Sequence, residues 1–372
     1  METDSIGLYV HIPFCLRKCN YCDFCSAASG EAEREVYISR LTDEIESYRR
    51  DEPITVDTLF FGGGTPSILT VRQLEVIMRS VRKTFRLAED CEITLEVNPK
   101  TASEEKLRGF RELGINRLSI GMQSIHENEQ KILGRIHNFQ DFLDTYRAAR
   151  AVGIANIGVD LMYGIPEQTL DSFEKTLSAV IKLSPEHISC YGLIIEEGTP
   201  FWRERDRLPI PSEDEECLMY DLAHRILTEH GYDHYEISNY ARQGYKSRHN
   251  LKYWHDEEYI GVGLSAHSYH LGKRYYNTSS MDEYISDGCA HYDMEDGGGK
   301  KDPFEYAMLA LRLSDGILLS EYESLFGRSF TEGNEQLISS LISAEYIEIS
   351  GGRLYLTPKG FYVSNSIMAE LL

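Results

Sequence analysis

The stretch His11-Ile12-Pro13-Phe14-Cys15-Leu16-Arg17-Lys18-Cys19-Asn20-Tyr21-Cys22 decides the reading of this chain. Its cysteines are spaced C-x3-C-x2-C. Three thiolates leave a [4Fe–4S] cluster one ligand short, because four irons ask for four. The gap is useful when one iron must bind something else, and S-adenosylmethionine chelates such an iron through its amino and carboxylate groups. Cys15, Cys19 and Cys22 are therefore the expected cluster ligands. The competing reading is a structural zinc site, which closes with four ligands; Cys25 and His11 are at hand to complete one. A disulfide framework fits poorly. The chain is long, shows no secretory signal at its start, and carries Cys91, Cys190, Cys217 and Cys289 singly, which reads as small buried hydrophobes.

Outward from the motif, short apolar runs alternate with amphipathic stretches. Strands are expected near residues 7–14, 58–62, 92–97, 117–122, 156–162 and 187–193, each β-branched or aromatic and bounded by Gly, Pro or Asn. Helical patterns fall between them, near 34–50, 71–85, 103–113, 139–152 and 170–183, with Ser103 and Asp171 as caps. Repeated strand–helix units imply a parallel sheet with right-handed crossovers. Six units are too few for a closed eight-stranded barrel and suit a partial (β/α)6 barrel with its chemistry at the carboxyl ends of the strands. Cys15, Gly62–Gly64, Glu96, Gln123 and Asp160 all fall at those ends. The glycine run Gly62-Gly63-Gly64-Thr65-Pro66 allows close backbone approach to a ligand there.

The expected organisation is a barrel over residues 1–230, an extension with an aromatic-rich loop over 231–296, and a small helix-plus-hairpin domain over 303–372 with a winged-helix look. The run Asp296-Gly297-Gly298-Gly299-Lys300-Lys301-Asp302-Pro303 reads as a linker. From Pro303 onward there are four basic residues (Arg312, Arg328, Arg353 and Lys359) against nine acidic ones, and the whole chain carries a formal charge of −22. Nucleic acid asks for a basic face, so the terminal domain is expected to pack against the barrel rather than read DNA. No apolar run has transmembrane length, and the cysteine motif points to a reducing cytoplasm.

The sequence resembles the radical S-adenosylmethionine proteins of the oxygen-independent coproporphyrinogen III oxidase-like group. The resemblance spans nearly the whole chain. It rests on His11–Cys22, on Gly62–Ser67, on Glu96-Val97-Asn98-Pro99 and on Arg117-Leu118-Ser119-Ile120-Gly121-Met122-Gln123-Ser124. It continues in Leu133-Gly134-Arg135-Ile136-His137, Asp160-Leu161-Met162-Tyr163-Gly164-Ile165-Pro166, Tyr235–Ala241 and Ser247-Arg248-His249-Asn250. It implies that Tyr9, Tyr21, Gly63 and Glu96 contact the cluster-bound S-adenosylmethionine. Gly64, Thr65, Gln123, Arg135 and Asp160 match positions that contact a second such molecule in the oxidase, and His267 matches one that backs the site.

Within the group, the oxidase carries a fourth cysteine two places after the third, where this chain has Phe24, and a longer arm before the motif than the 14 residues here. Both departures favour the heme-chaperone branch. That branch carries a His-Asn-x-x-Tyr-Trp segment associated with heme, matched by His249, Tyr253 and Trp254. The implied function is heme binding and transfer to acceptor hemoproteins, supported by the cluster, S-adenosylmethionine and a reductase, flavodoxin or ferredoxin as electron donor, in a monomer or transient dimer. The alternatives are a porphyrinogen oxidase or radical methyltransferase, favoured by Gln123, Arg135 and Asp160, and a zinc-stabilised binding module.

Overall fold

The computed structural model describes residues 5–286, 291–293 and 302–372. The glycines of the expected linker and Cys289 lie outside them. Six parallel strands form the centre: β1 (Ile6–Ile12), β2 (Thr55–Gly63), β3 (Arg86–Val97), β4 (Arg117–Gln123), β5 (Asn156–Tyr163) and β6 (His187–Gly192), adjacent in that order. Their continuous apolar runs follow from cover on both faces: all seven residues of β4 are buried, and Leu8, Val10 and Ile12 of β1 are fully enclosed. The register sets Tyr9 beside Phe60, Glu96 beside Ser119, and Asp160 between Gly121 and Ser189. Polar side chains are thereby gathered at one end of the sheet.

Helices α1 (Glu31–Ser47), α2 (Val71–Thr84), α3 (Glu104–Glu112), α4 (Phe139–Ala151) and α5 (Leu170–Ile181) make the crossovers. Ser103 caps α3, accepting from the Lys106 N–H (3.3 Å). At α5 the expected cap is corrected: Asp171 stands inside the first turn, and Thr169 does the capping through the Ser172 N–H (3.1 Å). An acidic residue in a first turn is favoured by the helix dipole and so resembles a cap in sequence.

The sheet is wider than the sequence suggests. On one side, β7 (Asp233–Glu236) and β8 (Asn239–Ala241) add antiparallel to β6. On the other, β9 (Tyr259–Val262) runs parallel to β1, followed by β10 (His267–His270), β11 (Lys273–Asn277) and β12 (His291–Asp293). Part of the expected aromatic loop is thus sheet, and its start is helix α6 (Arg248–Trp254). Gly261 is required in β9, because a Cβ there would lie 2.1 Å from the His267 carbonyl oxygen.

The terminal region combines helices with a three-stranded sheet of Ile317–Leu318, Arg353–Leu356 and Ile347–Ser350. Two further helices, Pro358–Tyr362 and Ser364–Leu371, went unread in the sequence. This region docks on the barrel edge: Ser314 N–H donates to Tyr235 O (3.1 Å), Ile237 N–H to Arg312 O (3.1 Å), and Tyr362 hydroxyl to Glu213 O (3.1 Å). Cys91 and Cys190 are buried as expected, whereas Cys217 is only half-buried. Among the described residues no helix is long and apolar enough to cross a membrane.

Candidate cofactor site at the carboxyl ends of the strands

The cysteine loop leaves the end of β1 and is tied down without help from its thiols. Asn20 N–H donates to Leu133 O (2.9 Å), its side-chain amide to Ile132 O (2.9 Å), and Asn20 O accepts from Phe201 N–H (3.0 Å). Cys15, Cys19 and Cys22 all line one open cavity of about 560 Å³. Burial, reinforced by the neighbouring thiols, pushes Cys22 up to about 11. Among the described residues no three His, Cys, Asp or Glu side chains converge on a single ion. That spread fits a cluster, in which each thiolate holds a different iron. The zinc alternative also loses its fourth ligand, because both ring nitrogens of His11 are occupied, by Tyr9 hydroxyl (3.1 Å) and Cys25 O (2.9 Å).

The glycine run locks onto the loop. Gly64 N–H donates to Ile12 O (2.9 Å), Thr65 N–H to Phe14 O (2.7 Å), and Thr65 hydroxyl to Cys15 Sγ (3.4 Å). A Cβ at Gly64 would lie 2.7 Å from Phe14 O and 2.8 Å from Phe14 N, both backbone atoms that cannot swing away. Gly64→Ala is therefore expected to lower the melting temperature and the iron retained after anaerobic reconstitution together, measured by thermal denaturation and iron analysis.

Glu96 faces the same cavity and accepts from Gly63 N–H (3.2 Å). Burial, then the charge of Asp160, raises its carboxyl to about 8. Asp160 accepts from Ser119 hydroxyl through both oxygens (3.0 and 3.2 Å), and burial raises it too. Gln123 sits in the left-handed region (φ +63°), costly for a residue with a Cβ. Its amide donates to Tyr191 hydroxyl (3.4 Å), while its buried oxygen has no protein partner. A strained residue presenting an unsatisfied acceptor to a cavity fits a ligand that donates hydrogen bonds.

Arg135 departs from expectation. Its Nε donates to His137 (2.8 Å), Nη2 to Asn98 Oδ1 (2.8 Å) and Gly121 O (2.7 Å), and Nη1 to Tyr21 hydroxyl (3.3 Å) and Cys19 Sγ (3.9 Å). With every nitrogen engaged, it braces the wall and offers no free fork to a carboxylate. Tyr9 lies one layer behind the lining, stacked on Phe60 (6.2 Å) with its hydroxyl on His11. His267 is exposed, stacks on Tyr276 (5.3 Å) and does not line the cavity.

Several lining residues were missed: Arg117, Ser119, His187, Ser189, Tyr191 and Asn250. Most had a signal. They alternate along β4 and β6, as side chains on one face of a strand must, and continue the row of Gly121 and Gln123.

The Radical SAM superfamily model matches residues 9–180, and the HemN C-terminal domain model matches residues 300–363. The backbone superposes on coproporphyrinogen III oxidase (HemN) of Escherichia coli with a TM-score of 0.85, over 99% of this chain and 90% of that one, at 23% identity. The heme chaperone HemW of Lactococcus lactis subsp. lactis is 33% identical over 368 residues, covering 98% of this chain and 96% of the relative. That of Bacillus subtilis is 33% identical, covering 98% of both. The chain belongs to the HemW family. Escherichia coli HemW is 39% identical over 272 residues, covering 72% of this chain and 71% of its own length. Radical SAM membership implies the [4Fe–4S] cluster and S-adenosylmethionine, and the donor set above suits both.

The segment linked to heme in this HemW-family chain does not sit as expected. His249 is 1% exposed and stacks on Phe60 (5.2 Å). Its Nδ1 bonds Thr58 hydroxyl (2.9 Å) and its Nε2 bonds Tyr253 hydroxyl (2.8 Å). Burial, then Lys252 and Arg117, pushes it down to about 3, so it is neutral. Neither nitrogen is free for iron in this arrangement. Tyr253 packs edge-on against Tyr259 (4.5 Å) and Trp254 lies under the Arg312 guanidinium (5.5 Å). Only Asn250 of this segment lines the cavity.

Proposed function

We propose that this chain binds heme and passes it to acceptor hemoproteins, with the cluster and S-adenosylmethionine seated at the strand ends beside it. Membership in the HemW family supports the reading. The observation that carries it here is the rim of the cofactor cavity, where Phe24 is 61% exposed and Ile194 is 69% exposed. Apolar side chains of that size left in water mark a binding surface, and a flat, largely apolar macrocycle suits them. A cytoplasmic location and a low-potential electron donor complete the proposal. Heme titration after anaerobic reconstitution is expected to saturate at about one heme per chain; absence of stoichiometric binding would overturn it. Phe24→Asp with Ile194→Asp is expected to weaken binding by roughly tenfold or more, from the loss of two buried apolar contacts.

Gln123 and Asp160 favour a second reading, porphyrinogen oxidation. Conversion of coproporphyrinogen to protoporphyrinogen under anaerobic reducing conditions would establish it.

When bound, the cluster and S-adenosylmethionine supply a one-electron reductive cleavage of the sulfonium. The protein's part is to orient. Gly63 and Gly64 let the backbone approach, Gln123 offers a free acceptor, and Glu96 is placed to pair an ammonium group. Glu96 also predicts a pH effect. Its raised pKa, about 8, keeps it protonated at neutral pH without ligand. A cationic amine favours the carboxylate, so binding at pH 7 should release a proton and affinity should rise with pH up to about 8. Calorimetry in buffers of different ionisation enthalpy reads the proton directly, and Glu96→Gln should abolish it. In the ligand-free fold the sign is opposite. The raised pKa makes stability fall as pH rises from the unfolded value of about 4.5 through about 8.

A further inference from the structure

The outer face of the cysteine loop has features that neither heme nor S-adenosylmethionine uses. Leu16 is 57% exposed and Ile136 is 50% exposed, and these two side chains, 120 positions apart in sequence, line one narrow groove. Arg17, Cys19 and His137 line it with them. Cys19 also lines the main cavity, so one ligand side chain stands between the cofactor site and the outside.

The charge around this groove runs against that of the chain. Arg17 and Lys18 are exposed in the loop. Lys100, 69% exposed, projects from the wall formed by Pro99 and Thr101, and its charge is felt at His137. Against these cations stand Asp141, which pairs Lys100 at 3.6 Å, and Asp23 on the cavity side of the loop. An apolar centre with a cationic rim, on a chain of net charge −22, is a docking patch for an acidic partner. The chemistry beneath it says what that partner brings.

We infer that the groove between Leu16 and Ile136, rimmed by Arg17, Lys18 and Lys100, is the docking surface for a small acidic one-electron carrier protein that reduces the cluster past Cys19. The inference rests on the proposed cluster being reducible and is independent of heme. In the step, the carrier loses one electron and the cluster gains it, passing from the 2+ to the 1+ state; no atom or proton needs to move.

The test uses the full, reconstituted chain and follows bleaching of the cluster after mixing with reduced flavodoxin or reduced ferredoxin, and separately with dithionite. The two proteins distinguish a flavin from an iron–sulfur carrier. Arg17→Glu and Ile136→Glu should each slow reduction by the effective carrier roughly tenfold at low salt, since charge reversal acts mainly on association. Added salt should slow the unaltered chain toward the variants. Dithionite rates and iron content should not change, and Leu325→Glu, at a remote exposed site, should behave as the unaltered chain. Equal carrier rates in all variants, indifference to salt, or slow reduction of the unaltered chain by both carriers would overturn the inference. Ile136 lies outside the cysteine loop, so its variant decides even where Arg17→Glu fails to load iron. Heme titration of the same samples separates this outcome from failure of the chaperone reading.

Discussion

Cys19→Ser is expected to leave anaerobic reconstitution with almost no bound iron and no brown visible absorption, while its far-ultraviolet circular dichroism stays unchanged. The same holds for Cys15→Ser and Cys22→Ser. A cluster already held by three thiolates has no spare ligand, and a serine hydroxyl is a poor substitute for a soft thiolate. The loop itself should survive, because its anchors are the Asn20 bonds to Leu133, Ile132 and Phe201, none of which involves sulfur. Cys25→Ala is the discriminating control. Its Sγ makes only a long contact with Ser279 O (3.8 Å), so iron should be retained in full. Equal loss of iron in Cys25→Ala would mean that four thiolates share the metal, and the open iron on which the proposed function depends would be gone.

The central sheet was legible because its physics is local. The six strands carry uninterrupted apolar runs, and the expected segment at 117–122 differs from Arg117–Gln123 by one residue. The flanks were not legible. β10 reads His-Ser-Tyr-His and β11 reads Lys-Arg-Tyr-Tyr-Asn, too short and too polar for a period to stand out. β9 exists because β1, some 250 positions earlier, offers it an edge. Helix α6 spans only seven residues, about two turns, which is too little for helical periodicity to register.

For the site, motif spacing and strand-end position brought together the three cysteines, Gly63, Gly64, Thr65, Glu96, Gln123 and Asp160 around one cavity. Resemblance alone carried His249 and His267, and there the side-chain environment departs from expectation. A sequence does not state which nitrogen of a histidine is already taken. Thr58 and Tyr253, which occupy His249, come from a neighbouring strand and from the next turn of its own helix.

Glu44→Ala is expected to destabilise the chain by about 3–5 kcal/mol, the range for stranding the partners of a buried charge. Glu44 lies on α1 with no exposed surface. Its Oε2 accepts from Gly263 N–H (2.9 Å) and Tyr284 hydroxyl (2.6 Å), and its Oε1 from Asn277 Nδ2 (2.7 Å). Alanine would leave three buried donors without an acceptor, at about 1–3 kcal/mol each before relaxation. Set against a typical total of 5–15 kcal/mol, the loss should appear as a large drop in the urea midpoint. Glu44→Gln should cost less, since it keeps the shape and one acceptor while turning an N–H toward a donor. The effect should reach the metal site. Tyr37, on the same helix, donates to His11 O (2.8 Å) and accepts from Leu264 N–H (3.0 Å). Together Tyr37 and Glu44 clamp the end of β9 against the end of β1, from which the cysteine loop departs. Iron retention in Glu44→Ala should therefore fall at urea concentrations where the central sheet, followed by circular dichroism, is still intact. If iron and sheet are lost together at one midpoint, the clamp supports the whole fold and has no separate hold on the loop.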